Sequence, residues 1–302
     1  MILAITGATG FVGSHLVDLV LREGHQVRAL TRRQQPAQPG VAWIAGALDA
    51  PESLDNLVLG ADAVIHVAGV VNAPDRAGFA LGNIDGTRAM AAAALGAGIG
   101  RFVHVSSLAA REPLLSNYGW SKAEAEREVS GSSLPAWTIV RPPAVYGPGD
   151  MEMRDTFRLA NMGIALTPPP GRMSVIHVDD LARLLLALAQ TRDQGSVLEP
   201  DDGRPDGWTH ADFLGGAIGA AVGKRVASIA LPAPLLSLAA RADRLFRGGR
   251  AKLTADRVSY ICHPDWTADP AKRPDPALWQ PRIPTSEGLA QTAAWYRANG
   301  LL

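Results

Sequence analysis

The sequence predicts a doubly wound parallel α/β sheet followed by a smaller C-terminal α/β lobe. Three observations carry that expectation. Over the first half, short β-branched apolar runs alternate with helical stretches. Three glycines spaced by threes, Gly7, Gly10 and Gly13, stand directly between the first run and the first helix. After about residue 145 the alternation breaks into Gly- and Pro-rich pieces.

The strand-like runs are "ILAIT" (2–6), "QVRALT" (26–31), "VAWIA" (41–45), "AVIHVA" (63–68), "RFVHVS" (101–106) and "WTIVRP" (137–142). Continuous apolar runs of this kind belong to strands buried on both faces. Helical stretches lie between them, near 12–23, 52–58, 80–97 and 117–130. Beyond "YGPGD", "LTPPPGRM" and "EPDDGRPDG" the helices are isolated, near 152–162, 179–190, 209–221, 234–246, 251–260 and 285–298. No internal repeat is visible.

Glycines between a first strand and a first helix permit a tight turn, close approach to a pyrophosphate, and close helix–strand packing. The helix beginning near Phe11 then presents free N–H groups and its positive dipole end to the phosphates. The expected organisation is therefore a dinucleotide-binding Rossmann core over 1–150, with later returns near 175–200, and a mainly substrate-binding lobe over 151–302.

Composition agrees with small-molecule chemistry. The 302 residues are 47% apolar, and 29 basic residues balance 29 acidic ones. Zero net charge gives no sign of nucleic acid or an anionic membrane as partner. The one cysteine, Cys262, excludes an internal disulfide and fits a reducing compartment, where it reads as a small core residue. No leader-like start is seen, and no window reaches the ~18 to 20 apolar residues of a spanning helix. A cytoplasmic protein without membrane insertion is expected. The seven histidines show no metal-ligand spacing, so no metal site is expected. His66 and His104 read as satisfied core residues, and Trp266, Trp279 and Trp295 as packing residues.

The glycine spacing is TGxxGxxG. "TGATGFVG" resembles the extended short-chain dehydrogenase/reductase superfamily, also called the NAD(P)-dependent epimerase/dehydratase family. "HVAG" (66–69), "NIDGT" (83–87), "VSS" (105–107), "YGWSK" (118–122), "RPPAVYGPGD" (141–150) and "IHVDDLA" (176–182) follow in that family's order. "LWQPRIPTSEGLAQTAAWYR" (278–297) is similar to its C-terminal ending.

Set on these motifs, the resemblance implies a cofactor site in segments. The glycine loop contributes Gly7, Thr9, Gly10, Phe11, Val12 and Gly13. The end of the second strand contributes Thr31, Arg32 and Arg33, and the third strand's end Ala47 and Leu48. Val67, Ala68 and Gly69 follow the fourth strand. Asn83, Val105, Tyr118, Lys122, Pro142 and Val145 complete the set. An acidic residue at the second strand's end would grip the ribose 2′-hydroxyl of NAD. Thr31, Arg32 and Arg33 instead suit a 2′-phosphate through charge-assisted hydrogen bonds. NADP(H) is therefore favoured over NAD(H), with Arg32 as the clamp. Ala47 stands where the family usually has Asp, so the adenine is held by backbone groups or by Asp49.

A tyrosine and a lysine four apart share one helix face. A nearby ammonium stabilises the phenolate and lowers a pKa that is ordinarily about 10. Tyr118 and Lys122 have this spacing. The resemblance implies that Lys122 also holds the nicotinamide ribose, that Ser107 (or Ser106) orients the substrate carbonyl, and that Tyr118 protonates its oxygen. For Asn83 a structural water, support of Tyr118, or helix capping are all open. Asp179 and Asp180 read as N-caps.

Three reactions remain open: carbonyl–alcohol oxidoreduction, nucleotide-sugar epimerisation with tightly bound NAD(P), and a non-catalytic NADP(H)-binding or sensor role. Leu108 and Ala109 follow Ser107 where sugar dehydratases carry an Asp–Glu pair, which argues against elimination chemistry. Ala144 replaces the Asn with which many nucleotide-sugar members contact substrate. "LPAPLLSLAARADRLF" (231–246) is amphipathic, either a wall of an apolar pocket or a packing helix. The lobe resembles dihydroflavonol reductases and 3β-hydroxysteroid dehydrogenases. An oxidoreductase acting on a fairly apolar molecule leads, and the intact Ser107, Tyr118 and Lys122 set favours an enzyme over a sensor. Through the alanine-rich helix 86–97 and the Tyr118 helix, the resemblance implies a homodimer.

Overall fold

A computed structural model describes residues 1–191, 195–248 and 253–302, apart from the side chain of Arg244. By contact density the chain forms two units: Met1–Pro142 with Leu181–Glu199 and Pro274–Trp279, and Pro143–Asp180 with Pro200–Arg273 and Gln280–Leu302.

The first unit follows the alternation read from the sequence. Its elements are β1 (Ile2–Thr6), α1 (Phe11–Arg22), β2 (Gln26–Thr31), β3 (Val41–Ala45), α2 (Pro51–Val58) and β4 (Ala63–His66). A helical region then runs through α3 (Arg76–Phe79), a π-helical stretch over Ala80–Asp85, and α4 (Gly86–Gly96). β5 (Phe102–Val105), α5 (Asn117–Ser130) and β6 (Trp137–Val140) follow. The single helix expected over 80–97 is thus two pieces, the π-helical stretch and α4, with the short α3 ahead of them. The widened turn carries Asn83, whose amide is bonded outside the helix (below).

The chain passes into the second unit with β7 (Ala144–Tyr146), α6 (Arg154–Asn161), β8 (Ile164–Thr167), β9 (Arg172–Met173) and β10 (Val175–His177). Along α7 (Val178–Ala189) it returns to the first unit and adds β11 (Ser196–Leu198). The second unit is completed by β12 (Trp208–Thr209), a π-helical stretch over Ala211–Ala217, α8 (Ile218–Val222), β13 (Ala227–Ala230), α9 (Ala233–Arg247), α10 (Ala255–Ile261), β14 (Asp265–Trp266) and α11 (Thr285–Ala298). The helix expected over 209–221 is also split, between β12, the π-helical stretch and α8.

The first unit's sheet has seven strands in the order β11-β6-β5-β4-β1-β2-β3, all parallel. Successive parallel strands need crossovers; α1, α2, α4 and α5 supply four of them, segment 32–40 joins β2 to β3, and the return along α7 leads to β11. The strand order reverses between β1 and β4, the switch point at which such sheets open a crevice at their carboxyl ends. One core cluster joins Leu54 and Leu57 of α2, Val64 of β4, Met90, Ala91 and Ala94 of α4, and Phe102 of β5. The small alanines of α4 let its backbone lie close to the sheet.

In the second unit Tyr146, Phe157, Val175, Phe213, Ile218, Leu289 and Tyr296 form the core. Tyr296 donates to the Asp150 carbonyl at 2.6 Å and packs edge-on against Phe157. Trp266 and Trp279 are buried packing residues as expected. Asp180, expected as an N-cap, accepts the backbone N–H groups of Arg282 and Ile283, anchoring the segment that leads into α11. Cys262 is half-buried at the end of α10 and so is not the core residue expected from composition.

Candidate active site

The ends of β1, β4 and β5 bring the sequence motifs of the first unit together. Gly7 follows β1 with φ of 71°, and a Cβ there would lie 2.7 Å from the Ala68 nitrogen after β4. A Cβ on Gly13 would lie 2.0 Å from the Gly7 carbonyl oxygen. Neither position tolerates a side chain. The Gly10 N–H closes the turn onto the Gly7 carbonyl at 2.9 Å. Gly10 caps α1 with no side-chain bond, and the first turn of α1 has no acidic residue. Its leading N–H groups therefore keep their capacity for an anion. Thr9 is exposed in the turn, while Phe11 and Val12 are half-buried at the start of α1.

β4 is held at this point from both sides. The Thr6 hydroxyl lies 2.7 Å from His66 Nδ1 and accepts the Ala68 N–H at 3.1 Å. His66 Nε2 is 3.0 Å from the Thr87 hydroxyl on α4. Val67 and Ala68 are half-buried, and Gly69 is exposed. A Cβ on Gly69 would stand 2.9 Å from Lys122 Nζ and 3.1 Å from the Asn83 amide oxygen. The loop after β4, the π-helical stretch and α5 therefore converge on one place.

Asn83 ties them. Its oxygen accepts the Val70 N–H at 2.6 Å, and its amide donates to the Val70 carbonyl at 2.9 Å and to the Ser121 hydroxyl at 2.8 Å. Ser121 in turn donates to the Tyr118 carbonyl at 2.8 Å. Of the roles open to Asn83, the geometry matches support of the turn that carries Tyr118.

α5 starts cleanly because the Ser116 hydroxyl accepts the Gly119 N–H at 2.9 Å. Gly119 admits the preceding segment: a Cβ there would be 2.7 Å from the Ala109 carbonyl. Tyr118 is half-buried and packs near Phe79, with ring centroids 6.3 Å apart. A hydrogen bond joins Tyr118 and Ser107. Burial raises the Tyr118 pKa, and the bond to Ser107 opposes that rise. One turn along, Lys122 is buried and donates from Nζ to the Val105 carbonyl at 3.1 Å. Desolvation lowers it from 10.5 to about 8, with the charge of Glu126 pulling the other way.

The two serines separate. Ser106 is buried and donates to Glu126 at 2.5 Å, while Ser107 accepts the Ala109 N–H at 3.2 Å and meets Tyr118. Glu126 also takes a two-pronged pair from Arg141, at 2.8 and 2.5 Å. Arg141 and Arg111 both reach the fully buried Glu199 at 3.3 Å. Sequence reasoning passed over Ser121 and Glu126. Glu126 lies four residues after Lys122, the same-face spacing that relates Lys122 to Tyr118, and that was its signal.

At the β2 end, the Thr31 hydroxyl donates to the Arg33 carbonyl at 2.7 Å and accepts the Arg33 N–H at 3.2 Å, shaping its own loop. Arg32 and Arg33 are exposed. The Ala47 carbonyl accepts the Ser53 hydroxyl at 3.1 Å; Ala47 and Leu48 are half-buried and Asp49 is exposed. Pro142 is buried in the first unit and accepts the Leu108 N–H at 3.1 Å; Val145 lies half-buried on β7 in the second unit. Leu108 and Ala109, at 2% and 0% exposure, offer no proton-transfer group.

His66 and His104 are register partners on β4 and β5, with rings stacked at 5.3 Å. Burial lowers the His66 pKa to about 3 and that of His104 well below 6.5. Here the expectation of satisfied histidines needs correction. His66 has Thr6 and Thr87, but neither ring nitrogen of His104 has a hydrogen-bond partner. Among the described residues no group of three His, Cys, Asp or Glu side chains could hold a metal, and no helix is long and apolar enough to cross a membrane.

A parallel sheet with a glycine turn at its switch point, and a Ser–Tyr–Lys cluster at the neighbouring strand end, defines an NAD(P)-dependent enzyme of Rossmann type. Residues 3–199 match the NAD dependent epimerase/dehydratase family, and the chain belongs to that family. It is 39% identical to a ceramide reductase of Caulobacter vibrioides, over 100% of this chain and 96% of that one. A 4-hydroxy-2-methyl-3-oxo-4-farnesyl-3,4-dihydroquinoline-1-oxide ketoreductase of Stigmatella aurantiaca is 31% identical over 67% of this chain and 68% of its own. Among solved structures, MoeE5 in complex with UDP-glucose and NAD superposes with a TM-score of 0.76 at 23% identity, covering 99% of each chain. That likeness concerns the fold.

Proposed function

We propose that this protein uses NADPH to reduce the ketone of an apolar lipid of the ceramide class to a secondary alcohol. The observation that carries the reading is the hydrogen bond of Tyr118 with Ser107, with the buried Lys122 one turn further along the same helix. The residues present fit a nicotinamide dinucleotide: Gly7 and Gly13 leave no room for side chains, and Arg32 and Arg33 are exposed at the β2 end. Gly7, Gly10, Gly13 and the start of α1 would hold the pyrophosphate, Arg32 and Arg33 the 2′-phosphate, and Lys122 the nicotinamide ribose. When bound, the cofactor supplies the hydride. Ser107 orients the substrate oxygen by donating to it, and Tyr118 delivers a proton to the same oxygen. Lys122, close by as an ammonium, stabilises the phenolate that remains.

The cofactor is assigned to the core over 1–150 and its later returns, and substrate selection to the lobe over 151–302. Two features favour reduction over sugar chemistry: apolar Leu108 and Ala109 after Ser107, and Ala144 exposed on β7. The 39% identity to a ceramide reductase over the whole chain supports the substrate class. A cytoplasmic homodimer through α4 and α5 belongs to the same reading, and a strictly monomeric mass in light scattering would remove the dimer.

The deciding experiment follows NADPH and NADH oxidation by the purified protein against a ketone of the ceramide class, a steroid ketone and a nucleotide sugar. NADPH-dependent reduction of the first is expected. Turnover of the nucleotide sugar alone would transfer the assignment to epimerisation. Cofactor binding with no turnover of any of them would leave a binding or sensor protein.

A further inference from the structure

α9 departs from what an amphipathic helix in a folded unit ordinarily does. Leu235, Leu238, Ala242, Leu245 and Phe246 are all exposed, Leu245 and Phe246 at 83% and 86%. At about 100° per residue these five positions fall within an arc of about 100°. The opposite side packs inward, with Ala240 buried and Leu236 and Ser237 half-buried. The apolar stripe thus faces water, contrary to the usual arrangement. Neither reading of this stretch from the sequence, pocket wall or packing helix, describes that stripe.

The strand before α9 behaves alike. β13 is exposed along its whole length and pairs in parallel with β8, placing Ile229 beside Leu166. Ile229, Leu166 and Ile164 are exposed at 47%, 44% and 36%. An exposed apolar surface of this kind marks an interaction site.

Charge separates the possible occupants. Between Lys224 and Arg247 the sequence has five cations, Lys224, Arg225, Arg241, Arg244 and Arg247, against one anion, Asp243. The chain as a whole is neutral, so zero net charge concealed a local excess of four positive charges. Arg241 is exposed at one border of the apolar arc; Arg247, exposed in the last turn on the side of Leu236 and Ala240, is paired with Asp243 at 3.2 Å. A second copy meeting this face in a two-fold dimer would set these cations against their own counterparts, with one acidic residue per copy to relieve them. An anionic lipid surface answers both features, taking Leu and Phe at the acyl boundary and Arg and Lys among the head groups.

We propose that α9 is a docking surface for an anionic phospholipid bilayer, on which the helix lies without crossing. The inference stands on exposure and charge and does not depend on which carbonyl the protein reduces.

The test is sedimentation of the full chain with vesicles of phosphatidylglycerol and phosphatidylcholine in equal parts, and with vesicles of phosphatidylcholine alone. Binding to the anionic vesicles is expected, weaker to the neutral ones and weakened by salt. Phe246→Glu should lower the partition at least about tenfold by charging the apolar stripe. Arg241→Gln, which leaves that stripe untouched, should lower it about fivefold. Both residues are exposed, and an unchanged unfolding temperature checks each fold. No binding to anionic vesicles, or binding that neither substitution alters, overturns the proposal. So does a dimer in light scattering that Phe246→Glu dissociates, which would give the surface to a second copy.

Discussion

Lys122 reaches from α5 to the last residue of β5, its ammonium donating to the Val105 carbonyl at 3.1 Å. The bond places a positive charge beside the strand end that leads into Ser107. Desolvation has already lowered that group to about 8. The proton on Lys122 is therefore lost within a range that kinetics can reach.

The cofactor-free protein should lose that charge as pH rises through about 8, and kcat/KM for ketone reduction should fall along the same limb. Glu126 favours the charged form of Lys122. Glu126→Gln should therefore move the limb to lower pH, whereas a purely structural effect would scale the profile without shifting it. A full pH profile of both proteins decides between these outcomes.

Tyr118→Phe keeps the ring near Phe79 and removes the hydroxyl bonded to Ser107. Turnover should fall by about 10² to 10⁴, the usual worth of a positioned proton donor. NADPH affinity, measured by fluorescence titration, should stay within about twofold, because the phosphates are assigned elsewhere. Retained turnover would remove Tyr118 from the proton-donor role.

Arg32 is exposed at the β2 end, and the Thr31 hydroxyl is committed to the Arg33 backbone. On the proposed reading, a 2′-phosphate would therefore be held by the guanidiniums. Arg32→Ala should weaken NADPH by about ten- to a hundredfold, the scale of one charge-assisted hydrogen bond. NADH should be unaffected. Equal losses for both cofactors would point to a loop effect instead.

His66 and His104 predict an acid limit to stability. Both have folded pKa values below the ordinary 6.5. As pH falls below 6.5 the unfolded chain takes up protons that the folded one refuses, so stability falls with pH down to about 3, where His66 begins to charge. Each histidine contributes about 1.4 kcal/mol per pH unit to that slope. His104→Leu removes one of the two protons and two unpartnered nitrogens. Urea unfolding should show equal or greater stability at neutral pH and a shallower acid slope. An unchanged slope would show that His104 does not titrate this way.

The separation of the two serines illustrates the limit of pattern reading. "VSS" names two adjacent hydroxyls, and a strand sends neighbouring side chains to opposite faces. Which serine meets Tyr118 depends on the path after β5 and on a partner for the other, and Glu126 is that partner. Asn83 is a similar case. Its motif marked it for attention, but its work depends on Val70 and Ser121, 13 and 38 residues away in the chain. His104 shows the reverse, a core position read correctly from apolar neighbours whose unpartnered state no local pattern discloses.

The sequence by itself determined the parallel α/β sheet, the glycine turn, the Tyr–Lys helix and the family, because these rest on short-range spacing and on the period of buried residues. The motif already favoured Ser107 over Ser106; tertiary structure alone decided that Glu126 holds Ser106 and tunes Lys122, that Asn83 steadies α5, and that the apolar stripe of α9 faces outward. Each of these depends on what stands opposite a side chain. Burial and charge pairing are properties of neighbours in space, and spacing along the chain does not specify them.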